Sequence, residues 1–129
     1  MNKNFATCVL SSIFISMTGY ASCPQIQQIK YNSNTQKYEA HGYWTSPQTN
    51  NVGNPTNLIQ VDGYRDFMFR YFNAVTWCHY KTANGRPIDL TTSVGTVDVT
   101  FVHPENWSLD QYNQYTCKAS FDGCAFVKN

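Results

Sequence analysis

Charge is scarce in this chain of 129 residues, where only 13% are Asp, Glu, Lys or Arg. No run of Lys or Arg and no basic stripe stands out among the polar residues. Nucleic acid and an anionic membrane surface both require a concentrated positive field, so neither is expected as a partner. Long apolar runs are also lacking. The longest, Phe5 to Met17, falls short of the roughly 20 residues a membrane span needs, and Ser11, Ser12 and Ser16 interrupt it. The chain has no Cys-x-x-Cys pair, no Gly-x-Ser-x-Gly elbow, no phosphate loop and no dinucleotide fingerprint. No catalytic residue, metal or cofactor is therefore assigned. Long helical periodicity is missing after the first 22 residues, which speaks against a helical domain.

What the chain does have begins at its start. Met1-Asn2-Lys3-Asn4 is short and singly basic, Phe5 to Met17 is apolar, and Gly19-Tyr20-Ala21-Ser22 supplies small residues. That is the three-part layout of a secretory signal peptide over residues 1–22, cleaved near Ala21 or Ser22. A single domain over residues 23–129 is expected to remain, secreted or periplasmic and without stable membrane insertion. Removal of Lys3 would balance the nine basic residues against the eight acidic ones. Lipidation at Cys23 is the competing reading. It is disfavoured because Tyr20 stands where a branched aliphatic residue is usual, and because it would leave an odd thiol.

Cys8 departs with the signal, and Cys23, Cys78, Cys117 and Cys124 form an even set. In an exported chain that set reads as two structural disulfides. Parity does not choose among the three pairings. The preferred one is nested, Cys23–Cys124 with Cys78–Cys117, and its rival is Cys23–Cys78 with Cys117–Cys124. Cys78 and His79 are neighbours, and neighbours in a strand point to opposite faces, so they do not form a thiol–imidazole pair.

The dominant period is two. Tyr38, Ala40, Gly42 and Trp44 alternate with Glu39, His41 and Tyr43. Further strands are expected over 26–31, 64–72, 75–81, 87–91, 97–101, 115–119 and 124–127, with Asn84-Gly85 and Asp122-Gly123 as turns. About eight short antiparallel strands imply an all-β domain, a disulfide-stapled sandwich or small barrel. Thr45 to Asn57 and His103 to Gln114 read as long loops, with one helical turn at Ser108 to Tyr112 from a capping-box pattern.

The same landmarks carry a family resemblance. Cys23-Pro24, Tyr38-Glu39-Ala40, Gly42-Tyr43-Trp44, Cys78-His79-Tyr80, Trp107, Cys117-Lys118-Ala119-Ser120 and Cys124-Ala125-Phe126 follow in order. The series resembles an uncharacterised family of small exported bacterial proteins described as a domain of unknown function. The resemblance implies bacterial export and brings no catalytic residues with it.

Binding rests on the aromatics: nine Tyr, eight Phe and three Trp. Trp77, beside Cys78, is expected in the core. Trp44 and Trp107 border the two long loops, with Tyr43 and Tyr112 nearby, and an exposed ring there could stack on a sugar or anchor a protein. His41, His79 and His103 show no diagnostic metal spacing with Asp62, Asp66 or Glu105. Asp62 and Asp66 read as turn and surface residues. The leading expectation is a non-enzymatic module for a protein or glycan partner. The alternatives are a small secreted hydrolase, marked by converging carboxylates and histidine in a cleft, or an assembly component, marked by a long free edge strand. Oligomeric state is not legible.

Overall fold

A computed structural model describes residues 22–41, 43–66, 72–92 and 98–129. The expected signal segment up to Ala21, and the expected strand stretch at 67–71, lie outside the described residues.

The chain forms β1 (Lys30–Asn32), β2 (Lys37–Ala40), β3 (Trp44–Thr45), β4 (Pro55–Asp66), β5 (Phe72–Thr82), β6 (Pro87–Thr92), β7 (Asp98–Phe101), β8 (Trp107–Leu109), β9 (Gln114–Cys117) and β10 (Phe126–Lys128). Single 3-10 turns lie at Ile26–Gln28 and Pro104–Asn106. All pairings among the described strands are antiparallel, in the order β1-β2-β3-β6-β5-β4-β9-β8, with β7 also on β5 and β10 on β7. The all-β expectation holds, with ten strands among the described residues.

Strand β5 organises this sheet. Its edge away from β4 is shared: β6 pairs along Trp77–Lys81, and β7 pairs at Asn73 and Ala74. Between these stretches Thr76 is an extra residue, since Asp62 faces Trp77 whereas Gly63 faces Val75. Such a bulge bends a strand and increases its twist. The bulge is satisfied internally, because Thr91 Oγ1 donates to the Thr76 carbonyl at 2.7 Å and Thr76 Oγ1 donates to the Asp62 carbonyl at 3.1 Å. Opposite it, a Cβ on Gly63 would sit 2.3 Å from the Ala74 carbonyl oxygen, so the two backbones approach as only glycine permits.

The sheet curls. Strands β7 and β8 are separated through hydrogen-bonded neighbours by β5, β4 and β9, yet only residues 102–106 connect them in sequence. Phe101 on β7 and Trp107 on β8 stack with centroids 4.0 Å apart, and Tyr115 packs edge-on against both. This is the barrel-like half of the expected architecture. The concave side holds one continuous core, which includes Val61, Cys78, Tyr80, Leu90, Cys117 and Phe126.

The disulfides are Cys23–Cys78 and Cys117–Cys124, so the nested expectation is corrected to its rival. The reason is local. Pro24 offers its carbonyl to the Tyr80 hydroxyl, laying the first described residues along β5 beside Cys78. Burial pushes that hydroxyl far above the ordinary tyrosine range, so it stays a donor. At the other end, 118–124 folds back on itself with Cys124 N–H donating to the Ser120 carbonyl, and β10 pairs with β7. Two disulfides suit an oxidising compartment outside the cytoplasm.

Three further expectations are corrected. The loop expected over Thr45 to Asn57 yields to β4 at Pro55, and Asp62 and Asp66 sit in that strand instead of in turns. The helical turn at Ser108 to Tyr112 is absent, because Ser108 and Leu109 pair with β9 and Asp110 caps a turn through Oδ1 to the N–H groups of Tyr112 and Gln114. His41 lies in the turn after β2 with φ of 58°, and so is off the strand face. The rest of the 46–54 loop is fixed by Tyr38, whose hydroxyl lies 2.6 Å from the Gly53 carbonyl and accepts from Val52 N–H at 2.9 Å.

Candidate functional site

One unbroken cross-strand row runs across the outward face of the sheet. Register places Lys30 beside Glu39, then Thr45, Thr91, Trp77, Asp62, Thr116 and Ser108, one residue from each of eight strands. None of the eight is buried. The row exists because strand alternation sends their neighbours, such as Ala40, Leu90, Cys78 and Val61, into the core. Trp77 therefore points outward, half-buried, which corrects its expected place in the core.

At the middle of this face His79 is clamped. Its Nδ1 lies 2.7 Å from Asp89 Oδ1 and its Nε2 lies 2.7 Å from Asp62 Oδ2. Asp89 is its direct cross-strand neighbour on β6, while Asp62 reaches diagonally from β4. Gln60 Nε2 donates to Asp62 Oδ1 at 2.7 Å, and the Trp77 ring lies nearly parallel to the imidazole at 6.2 Å. Burial lowers the pKa of His79. The hydrogen bonds to Asp89 and Asp62, aided by their charges, outweigh it, so the pKa stands above the ordinary 6.5. Two acceptors favour the doubly protonated ring, in which both nitrogens donate. An imidazolium so held donates from both nitrogens, so this cluster ties three strands together. Among the described residues, no group of three or more His, Cys, Asp or Glu is arranged to hold a metal ion.

The row ends in a groove at the β1–β3 side. A cavity of about 580 Å³ is lined by Gln28, Lys30, Thr35, Lys37, Glu39, Ala40, His41, Trp44 and Thr45. Trp44 is half-buried, pairs with Ala40 on the side of the sheet opposite Thr45, and is packed against the core. A second cavity of about 410 Å³ lies between Ile26, Leu58, Tyr80 and Phe121. Neither cavity includes the His79 clamp.

The four aromatics expected to bind do not converge. Tyr43 and Trp44 share the β2–β3 turn region, with Trp44 in the groove wall. Tyr112 is 73% exposed in the β8–β9 turn. Four strand spacings separate β3 from β9, roughly 19 Å at the usual sheet spacing. Trp107 is 8% exposed and stacked inside the curl, so its expected role at a loop edge is corrected to core packing. Its indole Nε1 is buried without a hydrogen-bond partner. His103 contacts Glu105 at 3.6 Å on an exposed turn, away from the clamp. Sequence reasoning missed Asp89, Gln60 and the groove lysines. Asp89 carried one signal, a lone carboxylate at an outward position of an otherwise apolar and threonine-bearing strand.

Among the described residues no helix is long and apolar enough to cross a membrane. Residues 17–127 match a family model described as a protein of unknown function, DUF3757, and the chain belongs to that family. Comparisons with curated proteins and with solved structures matched nothing.

Proposed function

We propose that this member of the DUF3757 family is an exported, non-enzymatic binding module that holds a glycan on the outward face of its sheet, centred on the Trp44 groove. The observation that carries this reading is the groove itself. Gln28, Lys30, Lys37 and Thr45 place amide, ammonium and hydroxyl groups around a cavity of about 580 Å³ that also takes in Trp44. A sugar offers a rim of hydroxyls, which that polar lining matches. The threonine row beyond the groove, running on through Thr91 to Trp77, extends the surface for a longer chain. A protein partner would draw on a broader apolar centre than this narrow, polar groove supplies.

The hydrolase alternative has its converging groups in Asp62, His79 and Asp89, but they neutralise one another on an open face and lie outside both cavities. For an assembly role, strand addition needs a long free edge. The described edge strands β1, β8 and β10 have only three residues each.

The test is backbone-amide NMR of the oxidised protein titrated with soluble oligosaccharides prepared from bacterial envelope polysaccharides. Shift changes should gather at Lys37, Glu39, Trp44, Thr45 and Thr91. Changes confined to Ile26, Tyr112 and Val127, or no change with any oligosaccharide, would overturn the reading.

A further inference from the structure

We propose that the first half of β4 captures an extended, uncharged peptide segment, which adds to its free edge and seats an apolar side chain against Leu58 and Phe121. This surface shares no lining residue with the groove near Trp44.

The argument starts from an interrupted ladder. On one side β4 pairs with β5 from Pro55 to Asp66. On its other side β9 meets it only from Val61 to Tyr64. Continued past Cys117, β9 would run beside Gln60, Ile59 and Leu58. It stops because the Cys117–Cys124 disulfide closes a loop there. Ser120 holds that loop, accepting from Cys124 N–H through its carbonyl at 3.0 Å and from Gly123 N–H through its hydroxyl at 3.2 Å. Among the described residues no other backbone takes the place of β9 along Pro55–Gln60. Unpaired strand backbone of this kind is a template for another chain. Thr56, Asn57 and Ile59 are exposed, and Thr56 and Ile59 are extra residues of β-bulges, which gather at sheet edges.

The vacated lane narrows the occupant. The cavity of about 410 Å³ lies there, bordered by Ile26 from the first 3-10 turn, by Ser120 and Phe121 from the disulfide loop, and by the cross-strand pair Leu58 and Tyr80. A backbone edge is met by another backbone, whose N–H and C=O groups recur at the matching spacing. With the turn on one side and the loop on the other, the lane admits a single extended chain and leaves no room for the sheet edge of a second folded copy. The occupant is therefore a flexible tail or linker of a partner protein. None of the residues lining the cavity is charged, so the segment is uncharged where it docks. Side chains alternate along an added strand, so one turns in against Leu58 and Phe121 while its neighbours turn to solvent. The bulges keep the added ladder short, which makes capture reversible.

The probes are capped six-residue peptides with valine, leucine or phenylalanine at alternate positions and threonine or glutamine between them. They are titrated into the oxidised protein, followed by backbone-amide NMR and amide hydrogen exchange. At least one peptide, at about 1 mM or below, should shift Thr56, Asn57, Leu58 and Phe121 saturably and slow exchange along that stretch. N-methylation of one or the other set of alternate peptide amides keeps the side chains and removes hydrogen-bond donors. One of the two sets should weaken binding about tenfold. Gln27→Trp, at an exposed site lining the cavity, should block the lane; thermal unfolding checks that it is folded, and the methylated peptides decide the matter on wild type if it is not. Equal binding of plain and both methylated forms would reveal mere apolar adsorption and overturn the proposal. So would undiminished binding by folded Gln27→Trp, shifts gathered on β1, β8 or β10 instead, or no binding by any peptide at about 1 mM. Exchange protection along β4 that grows with protein concentration in the absence of peptide would assign the edge to a second copy, and overturn it as well.

Discussion

Raising the pH from about 5.5 to about 9 should loosen this protein through one side chain, His79. Both of its ring nitrogens meet carboxylates at 2.7 Å, and its pKa stands above the ordinary value because Asp89 and Asp62 outweigh the effect of burial. A native pKa above the unfolded one means that the imidazolium stabilises the fold in full below the unfolded value. That stability is lost as the pH climbs through the raised native value. A hydrogen bond to a charged group contributes about 1.5–3 kcal/mol when sheltered. The Asp62 and Asp89 side chains are 30% and 40% exposed, so solvent screening reduces each contact. About 2 kcal/mol for the two together is the expected magnitude, or about 8 °C of Tm in a domain of this size. Thermal unfolding of wild type and His79→Gln, followed by near-ultraviolet circular dichroism across that pH range, measures it. The gap between the two proteins should be widest at low pH and should mostly close at high pH. Parallel Tm–pH profiles, or a His79 ring proton resonance titrating at or below about pH 6.5, would refute the reasoning.

Three other perturbations follow from the packing. Gly63→Ala drives a Cβ to within 2.3 Å of the Ala74 carbonyl, a backbone atom with nowhere to go, so chemical denaturation should show a loss of about 3 kcal/mol or no folded protein at all. Trp107→Phe keeps a ring against Phe101 and removes a buried N–H that has no partner; denaturant midpoints should place it within about 1 kcal/mol of wild type, whereas Trp107→Ala loses about 3–5 kcal/mol. The two disulfides should be unequal: chain entropy assigns about 4 kcal/mol to Cys23–Cys78, with its separation of 55, and about 2.5 kcal/mol to Cys117–Cys124, with its separation of 7. Paired Cys→Ser substitutions compared by denaturation should reproduce that order, and non-reducing peptide maps should return these two bridges.

Much of the sheet was legible from the chain because alternation is a local property. Cys78 inward and His79 outward follow from adjacency, and Asn84-Gly85 marks the β5–β6 turn, where Gly85 takes φ of 80°. Strand β4 was mostly missed for an equally local reason. Register shifts make Thr56 and Ile59 extra residues, so the period of two is broken along Pro55–Val61, and Pro, Asn and Gly surround it. The groove was half legible. Trp44 stood out by its chemistry, while Lys30 and Lys37 had no mark until pairing set them on one face and turned Glu39 away from them.

By itself the sequence determined an all-strand body, an even set of four cysteines outside the signal-like segment, and a polar face set against an apolar one. Each depends on residue type and on spacing along a single segment. The tertiary structure alone decided which cysteines join, that Trp107 is core, and that Asp62, His79 and Asp89 meet. Each of those depends on the register between strands remote in the chain, which only the assembled sheet sets.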